Sequence, residues 1–127
     1  MANVALVAVG GGLGAAARYL AGLWIAARLG AGFPWGTFFV NVTGSFLIGL
    51  VLVLVGRGTL PAEARLFFAV GILGGYTTFS SFSYETLQLA NGGDMVLVLL
   101  NTLGQVLAGL LAVYLGVVVG RAFLGGA

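Results

Sequence analysis

The chain has 127 residues, of which 61% are hydrophobic and only 6% charged, and it contains no Cys and no His. This composition lies outside the range of water-soluble domains and indicates a membrane protein. Without thiols or imidazoles, disulfides, the common transition-metal sites and the usual neutral-pH general base are excluded, so no enzyme is expected. The five Arg residues are scattered and form no basic run, which excludes nucleic-acid binding.

Four stretches are long enough to cross a membrane, since a helix needs about 20 apolar residues to span ~30 Å of hydrocarbon. They are predicted at residues 4–27, 35–55, 66–89 and 95–119, with short connections between them. Barrel strands would need alternating segments, which are missing. The predicted fold class is therefore an all-α membrane protein with four transmembrane helices in a single domain, 1–127. A cleaved signal peptide is disfavoured for the first span, because no Lys or Arg precedes it.

Glycine spacing indicates how the helices pack. Glycines four residues apart place two bare backbone patches on one helix face, where a neighbouring helix can approach closely. Three such pairs occur: Gly10 and Gly14, Gly71 and Gly75, Gly116 and Gly120. Arg57, Arg65 and Arg121 lie on the side of the two termini and Arg28 on the other, which favours cytoplasmic termini.

Polar residues at membrane depth are the informative ones, because each needs a partner or has a function. Thr37, Asn41 and Ser45 recur every four residues and share one stripe of the second span. Two interpretations remain open for this stripe: hydrogen bonds between helices, or the lining of a pathway.

The third span contains a run that is poor helix material, with tandem glycines followed by two β-branched threonines. We expect an interrupted helix with freed carbonyls at Gly74 to Thr78, which lipid tolerates only when they are buried in protein or line a cavity. Phe79 and Phe82 share one face just after the run, and phenyl edges carry partial positive charge. These two rings are either pathway residues or simply face lipid.

Arg18 is the one basic residue well inside a span, and two interpretations are open for it. Its side chain either snorkels to an interface or has a buried role, such as pairing with Glu85. The fourth span offers Asn101, Thr102 and Gln105, to which the sequence assigns no role. The glycine-rich residues 10–15 match a dinucleotide fingerprint, but no strand precedes them and no Walker loop occurs, so no nucleotide is expected.

Three stretches together resemble the Fluc or CrcB family of fluoride channels. Residues 10–19 read GGGLGAAARY and are similar to the pattern GGxxGAxxRY. Residues 36–46 read GTFFVNVTGSF and resemble GTxxVNxxGxF, while residues 71–82 read GILGGYTTFSSF and resemble GxxGGxTTFSTF. In the third stretch Ser81 replaces the usual Thr, which keeps the hydroxyl.

The resemblance implies a passive fluoride-selective channel in the cell membrane that exports fluoride and lowers its cytoplasmic toxicity. The implied assembly is an antiparallel, dual-topology homodimer with its third helix interrupted near the middle. Phe79 and Phe82 would then meet the dehydrated anion, with Asn41 beside the path. Thr37, Ser80 and Ser81 would supply donors, and Arg18 matches the first-helix arginine. A structural Na⁺ at the dimer interface would bind the backbone carbonyls of Gly74 and Thr77.

Two alternatives come from other functional classes. A small proton-coupled multidrug exporter would need a membrane-embedded carboxylate in its first span, where this chain has Arg18. A non-transporting membrane assembly subunit would use its polar stripes only to join helices. Fluoride efflux from liposomes distinguishes the three.

Overall fold

The computed structural model describes residues 1–125, and all of its regular structure is helical in that range. Helix α1 is Ala2–Leu29 and α2 is Trp35–Gly56. The third span consists of two segments, α3 over residues 62–76 and α4 at Phe79–Asn91. Helix α5 is Met95–Phe123. The prediction of four helices long and apolar enough to span a membrane is confirmed, and the first, third and fourth extend a few residues past the predicted apolar run, while the second ends at Gly56.

The third span is interrupted as predicted, but not at its glycines. Gly74 has helical dihedral angles and the helix continues through Gly75 to Tyr76. The break falls at Thr77 and Thr78, whose backbones are extended, with φ/ψ of −81°/155° and −150°/113°. The expectation that the tandem glycines begin the break is therefore wrong. The two β-branched residues, which favour extended backbone, form it instead.

The glycines of α3 serve close packing against α1. A Cβ on Gly75 would overlap the carbonyl oxygen of Gly11, and one on Gly14 would overlap that of Ile72. A Cβ on Gly10 would lie 2.6 Å from the carbonyl oxygen of Phe67. Backbones this close exclude any side chain, as in small-residue packing generally. The facing part of α3, Arg65–Leu73, is a π-helix, which the sequence did not predict.

Helices α2 and α5 pack in the same way. A Cβ on Gly116 would overlap the carbonyl oxygen of Phe46, and one on Gly49 would overlap that of Val113. The predicted packing role of all three glycine pairs is thus confirmed, since Gly120 also lies against Val53. The small apolar core includes Val40, Ala69, Leu73 and Ala112, while most large apolar side chains point outward.

Helix α4 is attached differently. Across the described residues of α4, none is buried. It is joined to its neighbours by side-chain hydrogen bonds: the Thr37 hydroxyl donates to Glu85 Oε1 at 2.8 Å, and Asn101 Nδ2 donates to Thr86 Oγ1 at 2.9 Å. Its first turn is capped by Thr78, whose Oγ1 accepts from the Ser81 N–H at 3.2 Å. Polar side chains therefore position the helix that follows the break.

Candidate functional site at the helix break

Asn41 of α2 is bonded directly to the extended backbone of the break. Its Nδ2 donates to the Thr78 carbonyl at 3.1 Å, and its Oδ1 accepts from the Thr78 N–H at 2.8 Å. The Asn41 side-chain oxygen thus takes the place of the Gly74 carbonyl, which would accept from the Thr78 N–H in a continuous helix. A non-helical backbone at this depth requires such a partner, because lipid supplies none.

An open cavity of about 360 Å³ lies on one side of this contact, and we call it the break cavity. Its lining includes Asn41, Gly74, Thr77, Thr78, Phe79, Phe82 and Gln105. The structure therefore brings together the second-span amide, both phenylalanines and both predicted carbonyl positions. Their roles in binding an ion stay predictions.

The two phenylalanines lie side by side in the lining of the break cavity. Their ring centroids are 5.7 Å apart and the ring planes are tilted by 42°. Phe79 is 79% exposed in the single chain, whereas Phe82 is half-buried. A tilted pair presents ring edges as well as faces, and the edges attract anions.

Two further grooves share Thr37 in their lining. A groove of about 240 Å³ is lined by Arg18, Thr37, Val40, Thr78 and Ser81 among others. A second groove of about 410 Å³ is lined by Thr37, Glu85 and Gln88 and by residues 30–34 of the connection between α1 and α2. Thr37 lines both grooves, and Thr78 lines both the first groove and the break cavity, so the three concave surfaces are neighbours.

Arg18 is half-buried and forms a hydrogen bond to another helix, but its partner is not Glu85. Its Nε donates to the Gly75 carbonyl at 3.0 Å, so it satisfies a carbonyl next to the break. Pairing with Glu85 is wrong, because that carboxylate accepts from Thr37 instead, and its Oε2 is buried without a hydrogen-bond partner among the described residues. Arg18 places a positive charge on the groove wall, and Glu85 lines the neighbouring one.

The predicted serine donors are placed less centrally. Ser80 is exposed and its hydroxyl lies 3.2 Å from Thr78 Oγ1. Ser81 is half-buried, lines the groove that contains Arg18, and pairs with the same threonine hydroxyl at 3.2 Å. Ser45, third in the second-span stripe, donates to the Asn41 carbonyl within its own helix. The stripe therefore contributes two cross-helix side chains, Thr37 and Asn41.

The largest omission from the predicted site is the pair of amides on α5. Gln105 Oε1 accepts from Asn41 Nδ2 at 2.8 Å, and Gln105 Nε2 donates to Asn101 Oδ1 at 2.7 Å. Both amides are buried, Asn101 completely. Their one-turn spacing was visible in the sequence, but only the fold shows that they face Asn41.

The break leaves main-chain oxygens beside the cavity. The Thr78 N–H, which would reach Gly74 in a continuous helix, donates to Asn41 instead. Carbonyls at the C-terminal end of α3 carry partial negative charge, while the N–H groups that open α4 carry partial positive charge. Within residues 1–125 no cluster of acidic residues could hold a metal ion, so a cation here would depend on neutral oxygens.

Sequence comparisons identify relatives along nearly the whole chain. The family model described as CrcB-like protein, Camphor Resistance (CrcB), matches residues 5–117. The chain belongs to this CrcB family. Two relatives from Thermus thermophilus strains, each named fluoride-specific ion channel FluC, are 57% and 54% identical over 120 and 125 residues. These matches cover 94% and 98% of this chain and 94% and 100% of the relatives.

A relative from Acidobacterium capsulatum with the same name is 53% identical over 116 residues, covering 91% of this chain and 93% of its own. The resemblance stated from the three sequence stretches is thereby confirmed. With four long apolar helices and this membership, the CrcB chain is a multi-pass protein of the cell membrane.

Proposed function

We propose that this CrcB chain is a passive fluoride-selective ion channel that exports fluoride and lowers its cytoplasmic concentration. It is thus a transporter rather than an enzyme, in keeping with the name of its relatives. The observation that carries the proposal is the convergence of Asn41, Phe79 and Phe82 on one cavity at a helix break. The proposed pathway passes these three side chains.

Fluoride is small and tightly hydrated, so a path must replace water with many close donors. Neutral amides, hydroxyls and ring edges can do so without holding the ion permanently, because permeation requires release as well as entry. The N-terminal end of α4 adds backbone N–H groups and the positive end of a helix dipole. Arg18 raises the positive potential on the neighbouring groove, which favours anions over cations.

The path needs a second copy of the chain, and we propose the antiparallel homodimer. Phe79 is 79% exposed, and the break cavity opens to the outside of the single chain. An aromatic ring that exposed can guide an ion only if another surface faces it. In a homodimer with two-fold symmetry the same surface of each copy faces the other, so a second copy could cover the exposed Phe79 ring and the open cavity.

A structural Na⁺ between the two copies fits the donors present. Gly74 and Thr77 both line the break cavity, and the Gly74 carbonyl has lost the N–H of Thr78 as its helical donor. Neutral carbonyl oxygens at a helix C-terminus suit a hard monovalent cation. These two carbonyls, from both copies, would hold it, and the ion would neutralise main-chain oxygens at the interface.

Fluoride efflux from liposomes, followed with a fluoride electrode, tests the channel. We expect rapid fluoride loss with no proton gradient and no chloride loss. The variant Asn41→Asp replaces a donor with a like charge, and we expect at least a tenfold lower flux, about the effect of one lost charge-assisted contact. The matched variant Asn91→Asp lies at the exposed end of α4 and should conduct normally.

No fluoride loss from liposomes that contain correctly assembled wild-type protein would remove the channel proposal. Fluoride loss that depends on a proton gradient would favour the exporter. For the interface, exchange of Na⁺ for a bulky organic cation should lower the thermal stability of the purified dimer. Equal stability in both salts would argue against the cation, and a monomeric, conducting protein would argue against the dimer.

A further inference from the structure

The amides beside the break form one chain of hydrogen bonds with a fixed direction. Because the Thr78 N–H can only donate and its carbonyl can only accept, the orientation of the Asn41 amide is determined by its two bonds to this backbone. The remaining Asn41 hydrogen then points to Gln105 Oε1, which fixes the Gln105 amide as well.

The same donor-to-acceptor order continues from Gln105 and Asn101 of α5 to α4. Gln105 Nε2 donates to Asn101, and Asn101 Nδ2 donates to the Thr86 hydroxyl. Thr86 in turn donates to the carbonyl of Phe82 at 2.7 Å. The chain therefore begins at one proposed pathway residue and ends on the backbone of another.

In this arrangement Asn41 has no spare hydrogen. One hydrogen of its Nδ2 goes to the Thr78 carbonyl at 3.1 Å and the other to Gln105 at 2.8 Å. An anion can therefore receive a hydrogen bond from Asn41 only if one of these acceptors withdraws. The Thr78 carbonyl belongs to the backbone, whereas the Gln105 side chain has bonds about which it can rotate, and it lines the same cavity.

We propose that Gln105 is an exchange acceptor for Asn41, giving up the amide hydrogen when fluoride arrives and taking it back when fluoride leaves. A buried donor without an acceptor is unfavourable by about 1–3 kcal/mol, so without Gln105 the ion itself would have to satisfy Asn41. The exchange keeps ion binding weak enough for release. Gln105 acts through Asn41 and is a positioning residue, held in turn by the buried Asn101. The inference rests on the proposed fluoride path past Asn41.

The variant Gln105→Met tests this, because it keeps the side-chain length and removes the acceptor. Flux is measured against fluoride concentration in liposomes. We expect the half-saturating concentration to fall about threefold or more, in line with one lost competing hydrogen bond, while the maximal flux also falls. A variant that only damages the structure would lower the maximal flux without lowering the half-saturating fluoride concentration.

The matched control is Thr102→Val on the same helix, because the Thr102 hydroxyl donates at 2.8 Å to the Val98 carbonyl of its own helix. It should leave both parameters unchanged. If Gln105→Met does not assemble, Asn101→Leu is the second test, because it removes the acceptor that holds Gln105 in place. The half-saturating fluoride concentration should then also fall, but by a smaller factor.

An unchanged or raised half-saturating concentration in the assembled variant would overturn the inference while leaving the channel itself in place. An absence of flux in the wild-type protein would instead remove the proposed function. The two failures are therefore distinguishable in one set of vesicles.

Discussion

Helices α1 and α4 are attached to the rest of the chain by opposite means. Helix α1 meets α3 through glycine backbones so close that a Cβ on Gly14 or Gly75 has no room. Helix α4 has no buried residue along its described length and is joined through Thr37, Asn101 and the backbone of Thr78. The first contact tolerates almost no change in distance, whereas the second can lengthen, rotate or exchange partners.

In a membrane, little hydrophobic driving force acts between helices, so the type of contact determines how rigidly each helix is held. By this comparison α1 is held rigidly and α4 is held adjustably. In lipid, close van der Waals contact of small residues gives a precise scaffold, while hydrogen bonds add orientation. The proposed pathway lies where these two regions meet, at the break between α3 and α4. A stable frame can therefore carry a helix whose polar contacts respond to an ion.

The largest expected effect is on the glycine contact. In Gly14→Ala the new Cβ would overlap the carbonyl of Ile72, and overpacking of this kind destabilises by about 3 kcal/mol or more when the backbone cannot move. We expect a much lower unfolding temperature in detergent and loss of assembly. The control Gly12→Ala, with nothing within 4 Å of its Cβ, should be as stable as the wild type or slightly more stable. Equal stability of the two variants would mean that α1 and α3 do not touch through backbone.

A smaller effect is expected at the start of α4, where only transport should respond. Phe79→Ile removes a ring edge from the break cavity, and fluoride flux should fall about tenfold, since an aromatic contact contributes up to about 1.5 kcal/mol. Thermal stability should stay the same, because the side chain is 79% exposed. Phe123→Ile, at an equally exposed ring near the end of α5, is the matched control. Equal flux in both variants would remove Phe79 from the pathway.

The smallest effect tests the attachment of α4 itself. Thr37→Val removes the hydrogen bond to Glu85 without changing the side-chain volume, so we expect fluoride flux to fall about threefold, in line with a net contribution of about 0.7 kcal/mol from one hydrogen bond. Thr59→Val in the exposed connection after α2 should have no effect. Flux at the wild-type level in Thr37→Val would show that α4 does not depend on this bond.

Much of this architecture could be predicted from the sequence, because long apolar runs, glycine pairs and tandem threonines each act locally. The helices, the packing at Gly10 and Gly14, and an interrupted third span follow from such signals. The position of the break and the π-helix at Arg65–Leu73 do not follow from local signals, because they also depend on tertiary contacts such as the close approach of Gly75 to Gly11 of α1.

The sequence predicts which residues form the candidate site, but not which hydrogen bonds join them. Asn41, Phe79 and Phe82 were found from their spacing and from the family resemblance, and they do share a cavity. The partners of Arg18 and Glu85, and the contact of Gln105 with Asn41, depend on how helices rotate about their own axes. Hydropathy does not encode that rotation, since it is set by packing against neighbours.

The length of α4 has an electrical consequence. Its 13 residues measure about 20 Å at 1.5 Å per residue, so a helix that ends at one membrane surface begins deep in the hydrocarbon, which is about 30 Å thick. An ion that enters from that surface would have crossed roughly two thirds of the transmembrane voltage when it lies beside Thr78, worth about 1.5 kcal/mol per 100 mV. In the proposed antiparallel dimer the two copies place this point at opposite depths, so inward and outward currents summed over both copies should respond to voltage alike.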